Sequence, residues 1–201
     1  MTDTYLTISH KSEGEYSEKR SKFLAFAYHV ETTEEIKNIV NSCEKEYHDA
    51  RHVCYAYMLG PQHETFRAVD NGEPSGTAGK PILGQIVKNN LTNILIVVVR
   101  YFGGIKLGTT NLKNAFLSVA SDLIKTENLC EIKQTLLYQI KIDYSQIKII
   151  NRQFNNQIID RKYNDLDVTF FFCFEKEQIN LFTDYDATLV NNKYIVKCYN
   201  I

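Results

Sequence analysis

Two stretches of this chain gather glycine, lysine and hydroxyl side chains in the manner of anion sites. The first runs from Asp70 to Pro81 and holds Glu73, Ser75, Gly76, Thr77, Gly79 and Lys80. The second runs from Arg100 to Thr110 and holds Tyr101, Gly103, Gly104, Lys106 and Gly108. Glycine lets backbone N–H groups approach a ligand closely. Each loop precedes an expected helix, whose N-terminus carries partial positive charge that favours anions. Lysine and hydroxyls then complete a phosphate cradle. The first loop is not a Walker A motif, because Pro81 stands where GxxxxGK[ST] requires Ser or Thr, and neither loop matches GxGxxG. Tight turns against a close-packed helix use the same composition, so a purely structural reading stands beside the ligand reading.

A third cluster is His48-Asp49-Ala50-Arg51-His52. The two histidines are spaced for one helical face, but the preceding helix is expected to end here. Metal ligation, a structural histidine and a polar contribution to an anion site all remain open readings. Glu73 is the only carboxylate in the body of the first loop near Lys80. It fits either a general base or a lysine partner, and no second carboxylate has the spacing of a dyad. Ser75 and Thr77 lack a nucleophile-elbow context. Five cysteines (Cys43, Cys54, Cys130, Cys173 and Cys198) are widely spaced without a CxxC. They read as small buried hydrophobes in a reducing cytosol, with no zinc site. Only Cys54, close to His52, has the electropositive neighbour that a reactive thiolate needs.

The elements that must position these residues follow from patterning. All three prolines and eight of the nine glycines lie between Gly60 and Gly108, so special backbone is concentrated there. Strands are expected over Tyr5–Ile8, Lys22–Val30, His52–Leu59 and Thr65–Val69. Asn93–Tyr101 reads as a continuous apolar strand covered on both faces. Helices are expected over Thr32–Tyr47, with Thr32 or Thr33 as N-cap and Glu35 in the first turn, through Ile82, Leu83, Ile86 and Val87, and over Leu112–Lys125. Beyond Glu131 the order is βαββαβ: Gln134–Asp143, Tyr144–Asn156, Gln157–Tyr163, Leu166–Phe174, a helix over Glu175–Thr188, and Lys193–Tyr199. The fold class is therefore α+β in two domains, residues 1–130 and 131–201, packed together rather than freely tethered.

With 201 residues the chain has room for one domain or two small ones. It has no apolar run long enough for a membrane helix and no secretory signal, so a cytoplasmic protein is expected. A formal net charge of −1 argues against a non-specific polyanion binder. The charge is uneven, however. From Pro74 to Ser121 there is no acid, while Lys80, Lys88, Arg100, Lys106 and Lys113 are present.

The strings SKFLA (Ser21–Ala25), HDARH (His48–His52), NGEPSGTAGKP (Asn71–Pro81) and RYFGGIKLG (Arg100–Gly108) resemble the YigZ/IMPACT family over roughly residues 15–125. The segment from about 134 resembles the C-terminal domain of the bacterial members. The resemblance implies an N-terminal domain like domain IV of elongation factor G, with a left-handed βαβ crossover against the usual hand. It implies a ferredoxin-like C-terminal domain. It also implies a link to translation, which the eukaryotic relatives regulate by binding a ribosome-associated activator of a starvation-response kinase. Some members carry a peptidase label, for which this sequence offers neither metal ligands nor a nucleophile. One departure stands out. Thr110, Asn111, Asn114 and Phe116 occupy places where relatives often carry paired glycines, an arginine and a tyrosine. The bidentate phosphate grip of an arginine is missing there, and Lys113 is a partial substitute.

The leading expectation is a non-enzymatic, translation-associated protein that contacts RNA or ribosomal components, without a cofactor or metal. Arg51, His52, Glu73, Ser75, Gly76, Thr77, Gly79, Lys80, Arg100, Tyr101, Gly103, Gly104, Lys106, Gly108 and Lys113 form the expected ligand surface. Lys80, Arg100, Lys106 and Lys113 would contact phosphates. Tyr101 and Phe102 would stack on bases or fill the core, with core filling the better reading for Phe102. Two other classes stay open. One is an enzyme or sensor for a small phosphorylated metabolite with Glu73 as base. The other is a protein-interaction module.

Overall fold

A computed structural model describes residues 4–124, 129–133, 136–174, 185–191 and 199–200. The chain forms two compact units. One spans Thr4–Glu131 with the strand at 199–200, and the other begins at Ile132.

The first unit is built on a five-stranded sheet. Its strands are β2 (Ser12–Glu18), β3 (Ser21–His29), β4 (His52–Leu59), β5 (Thr65–Val69) and β6 (Ile94–Tyr101) in the order β2-β3-β6-β4-β5, and β1 (Thr4–Ile8) lies outside it. The central strand β6 is buried at every position from Ile94 to Arg100. This is why its sequence is a continuous apolar run rather than an alternation. Helices cover both faces. The helix α1 (Thr33–Glu46) packs Ile36, Val40 and Cys43 against Val53, Tyr57, Leu95, Val97 and Val99 on one face. On the other, α2 (Gly79–Lys88) and α3 (Thr109–Leu123) pack Ile82, Ile86, Leu112, Phe116 and Val119 against Phe23, Ala25, Ala56, Ile96 and Val98. Thr32 caps α1 in a complete capping box with Glu35.

Strand direction fixes where the glycine-rich loops fall. Both β5 and β6 run antiparallel to β4, so they are parallel to each other. The loop after β5 leads into α2, and the loop after β6 leads into α3. Both loops therefore leave the same end of the sheet, beside the first residues of β3 and β4.

A three-stranded sheet, β1-β7-β12, adds β7 (Leu129–Lys133) and β12 (Tyr199–Asn200). The second unit carries an antiparallel sheet in the order β11-β8-β10-β9, formed by β8 (Leu136–Asp143), β9 (Ile158–Tyr163), β10 (Asp167–Phe174) and β11 (Thr188–Asn191). A 3-10 turn at Tyr144–Gln146 leads into α4 (Ile147–Phe154). Ile150 and Phe154 of this helix pack on Ile140, Val168, Phe170 and Phe172.

Several elements differ from the sequence reading. The strand β2 is unforeseen, because its side chains are mostly polar and it lies at a sheet edge. Thr188, expected to end a helix, lies in β11, and Tyr185–Ala187 before it are not helical. The rest of that expected helix, residues 175–184, lies outside the described residues, as do residues 193–198 of the expected last strand. Its final residue, Tyr199, pairs with Glu131 of β7 and not with the four-stranded sheet. Alternation marks a strand but does not choose its partner. Phe102, read as core, is 38% exposed. Among the described residues, no helix is long and apolar enough to cross a membrane.

Phe116 is fully buried and meets Phe23 edge-to-face at 5.2 Å. A buried ring with no hydroxyl needs no hydrogen-bond partner, so phenylalanine suits this position. Phe116→Ala is expected to cost about 3–5 kcal/mol, read as a fall in the urea midpoint without a change in m-value.

Candidate functional site

The two glycine-rich loops meet at the shared end of the sheet, and a buried ion pair joins them. Arg100, the penultimate residue of β6, is 5% exposed and donates from Nη1 to Glu73 Oε1 at 2.6 Å. Glu73 comes from the first loop, and its side chain is 2% exposed. The same guanidinium donates from Nη2 to Ser21 Oγ at 3.3 Å, and Ser21 opens β3. Ser21 Oγ also accepts from Gly103 N–H of the second loop at 3.4 Å. The guanidinium carbon lies 5.4 Å from the Phe23 ring centre and 5.5 Å from that of Phe102. Nε of Arg100 is buried and has no hydrogen-bond partner among the described residues.

His52 joins this node from the start of β4. Its Nδ1 donates to the Asn71 carbonyl at 3.1 Å, which leaves Nε2 3.8 Å from Glu73 Oε1. Asn71 is held in turn, donating to Val53 O at 3.0 Å and to Glu44 Oε1 of α1 at 3.3 Å. Tyr101 ties the HDARH turn to the end of β6 through a hydrogen bond from its hydroxyl to Asp49 Oδ1 at 2.9 Å. Partial burial and then this bond push the Tyr101 phenol up.

The first loop already holds an anion, and it belongs to the chain. The Asp70 carboxylate accepts from Gly76 N–H at 2.6 Å, Ala78 N–H at 3.0 Å and Gly79 N–H at 2.9 Å. These are the loop and helix-start amides that the sequence offered to a phosphate. Desolvation pushes the Asp70 carboxyl up, and the three backbone bonds with nearby Lys80 overcome it, so its pKa lies below the ordinary value. Thr77 is buried, with its hydroxyl bonded to Pro74 O at 2.6 Å. Gly79 is required for another reason: a Cβ there would collide with the backbone of Ala68 and Val69. Gly103 likewise leaves no room for a Cβ beside the Arg20 carbonyl.

Of the expected ligand residues, Arg51, Ser75, Lys80, Gly104, Lys106, Gly108 and Lys113 are exposed. His52, Gly76, Tyr101 and Gly103 are half-buried, and Glu73, Thr77, Gly79 and Arg100 are buried. Arg100, expected to contact phosphate, is instead the internal partner of Glu73, because an arginine inside a sheet core needs a carboxylate. His48 and His52 do not share a helical face, since α1 ends at Glu46. Among the described residues, no three His, Cys, Asp or Glu side chains gather as a metal site. Cys54 is buried and donates its thiol to Asp70 O at 2.9 Å. Burial first, then Glu73 and Asp70, pushes this thiol far up, away from thiolate chemistry.

Sequence reasoning gave no role to Asp70 or Ser21. Asp70 caps from eight and nine residues upstream, beyond the reach of any local capping pattern. Ser21 acts across 79 residues of separation from Arg100.

This is a mixed α/β protein of two compact units, whose first unit gathers two glycine-rich loops around a buried Glu–Arg pair. A family model, the Impact N-terminal domain, matches residues 19–124. The IMPACT family member YvyE of Bacillus subtilis is 32% identical over 200 residues, covering 98% of this chain and 92% of its own length. The Escherichia coli IMPACT family member YigZ is 35% identical over 152 residues, covering 72% and 74%. A crystal structure described only as that of a hypothetical protein is similar at a TM-score of 0.69 and 26% identity, covering 96% of this chain and all of that one. The chain belongs to the YigZ/IMPACT family.

Removing one partner of the buried pair leaves an uncompensated charge. Glu73→Ala is expected to destabilise by about 3–5 kcal/mol, and Glu73→Ala with Arg100→Met to recover part of that loss, read by thermal unfolding. Asp70→Ala is expected to cost about 1.5–3 kcal/mol through its charge-assisted bonds. Because the folded pKa of Asp70 is depressed, its contribution is complete above the unfolded carboxylate value near ~3.9 and fades as pH falls through the folded value. A stability profile from pH 7 downward should fall less steeply in the Asp70→Ala protein.

Proposed function

We propose that this protein is a non-catalytic, translation-associated regulator that binds RNA or ribosomal components with the surface of its two glycine-rich loops. One observation carries the reading. Lys80, Lys106 and Lys113 are exposed and make no ion pair among the described residues. Exposed cations that form no ion pair among the described residues, in the second loop and at the starts of α2 and α3, suit an extended phosphate backbone. The start of α3 supports the same reading. Gly108 caps it without a side-chain bond, and no acid lies in its first turn, whereas Asp70 fills the corresponding place at α2.

The translation link comes from the family, whose eukaryotic members regulate translation. The non-catalytic part rests on Glu73, which is buried and held by Arg100 and so is poorly placed as a general base. We read the units as an IMPACT-like N-terminal domain, residues 1–130, resembling domain IV of elongation factor G, and a ferredoxin-like C-terminal domain, residues 131–201. The strand order β11-β8-β10-β9, antiparallel with α4 after its first strand, supports the second assignment. The cytoplasm is the compartment that this function requires.

The test is binding of purified ribosomes and short RNAs across a salt series. The expected result is binding at low salt that weakens steeply as salt rises and is lost in the Lys80→Ala/Lys106→Ala variant. No binding at low salt, or full binding by the double variant, would overturn the proposal.

A further inference from the structure

Phe102, expected in the core, stands partly in solvent near the start of the second loop, 38% exposed. The fold gives it a fixed place there. Lys22 pairs with Tyr101 in the antiparallel register of β3 and β6, so the next residue, Phe102, leaves the sheet beside Ser21. Gly103 follows, donating to Ser21 Oγ and lying so close to the Arg20 backbone that a Cβ would not fit. The Phe102 ring centre lies 5.5 Å from the guanidinium carbon of Arg100, which is itself held by Glu73 and Ser21. The neighbouring Tyr101 is engaged differently, with its hydroxyl bonded to Asp49. Beyond Gly103, Gly104 has open space around it and Ile105 is 44% exposed.

The surroundings of this ring are net positive. The turn between β2 and β3 places Lys19 and Arg20 in solvent, and the second loop adds Lys106. None of the three makes an ion pair among the described residues. Lys19 and Arg20 adopt φ of 45° and 66°, where asparagine and glycine are the usual residues of a two-residue hairpin turn. The HDARH turn, tied to Tyr101, adds the exposed Arg51 and the acid Asp49. The other acid of these segments is Glu18, and both acids accept from a tyrosine hydroxyl rather than from a cation. Glu73 and Arg100 cancel each other inside. Lys19, Arg20, Arg51 and Lys106 thus stand against Glu18 and Asp49.

We propose that Phe102 is a stacking platform for an unpaired base of single-stranded RNA, whose phosphates run past Arg20 and Lys106. The platform rests on the loop reading of the proposed function and narrows its ligand to a single strand. A phenylalanine ring has no donor or acceptor, so it meets the flat face of a base and not its edge. In a duplex both faces of each base are covered by its neighbours, whereas unpaired bases are free to stack on aromatic rings. The guanidinium beside the ring is fixed, because moving it would leave Glu73 as an unpaired buried charge. A base therefore meets a ring that is already ordered, which lowers the entropy lost on binding. Every base has such a face, so little sequence preference is expected.

The chain contains no tryptophan, so Phe102→Trp introduces a single indole at the platform. The probes are a mixed-sequence single-stranded RNA and an RNA duplex of the same length, both at low salt. The single strand is expected to quench the indole emission and the duplex to leave it unchanged. Phe102→Ala is expected to weaken single-strand binding about ten-fold or more, and Phe102→Tyr, which keeps the ring, to retain the parent affinity. Equal affinity for strand and duplex, an unquenched indole in the bound complex, or undiminished binding by Phe102→Ala would overturn the platform. In those cases binding that depends on Lys80 and Lys106, and with it the loop reading, still stands. No single-strand binding by the parent chain overturns the platform as well, and ribosome binding in the same salt series then decides the loop reading separately.

Discussion

The buried pair of Glu73 and Arg100 is the constraint around which the first unit is arranged. Two charges taken out of water cost several kcal/mol each unless they meet in good geometry. Here they meet at 2.6 Å, with Ser21 taking a second guanidinium hydrogen and two aromatic rings lying near the guanidinium. Its members are 27 residues apart in sequence, Glu73 in the first loop and Arg100 near the end of β6. It is satisfied only when β3, β4 and β6 are in register and both loops have turned inward. Its contribution is therefore chiefly to specify one loop arrangement, since an apolar replacement of similar volume is compatible with comparable stability.

The two loops have nearly the same composition, yet their helix starts differ. At α2 the amides are satisfied by Asp70, an anion supplied from the end of β5, and Gly79 lets the helix close onto that strand. At α3 the cap is Gly108, no acid lies in the first turn, and Lys106 and Lys113 are exposed. The amides of the first cradle are thus filled by the chain's own carboxylate, whereas no acid lies in the first turn of α3. A motif defined by residue types cannot separate these cases, because the deciding carboxylate, Asp70, stands eight and nine residues ahead of the helix-start amides it binds.

Much of the fold was legible in local patterns. A threonine cap at Thr32 or Thr33 with Glu35 in the first turn announced α1, which Thr32 caps, and the run from Ile94 to Val99 announced a strand covered on both faces. The Asn164-Asp165 turn joined β9 and β10 as its residues suggested, with Asn164 N–H bonded to Asp167 O. What was not legible is non-local. β2 hides because an edge strand with a polar face has little hydrophobic signal. Tyr199 carries the same alternation whether it joins one sheet or another. In the site, His52, Glu73 and Arg100 were legible as separate candidates, though not as one gathering. The burial of Arg100 and the filling of the first cradle by Asp70 were not, since both depend on how three strands align in space.

Asn71 shows how closely the parts of the first unit are built into one frame. Its carbonyl orients His52 toward Glu73, while its amide spans Val53 of β4 and Glu44 of α1. It adopts a positive φ of 37°, a conformation that asparagine tolerates better than most side chains. Asn71 also lines a groove between α1 and β5, beside the polar node. The loop turn, α1 and the start of β4 are linked by the hydrogen bonds of this one residue. The turn of the first glycine-rich loop is thus tied both to the polar node and to α1, whose position against the sheet is set by the packing of Ile36, Val40 and Cys43.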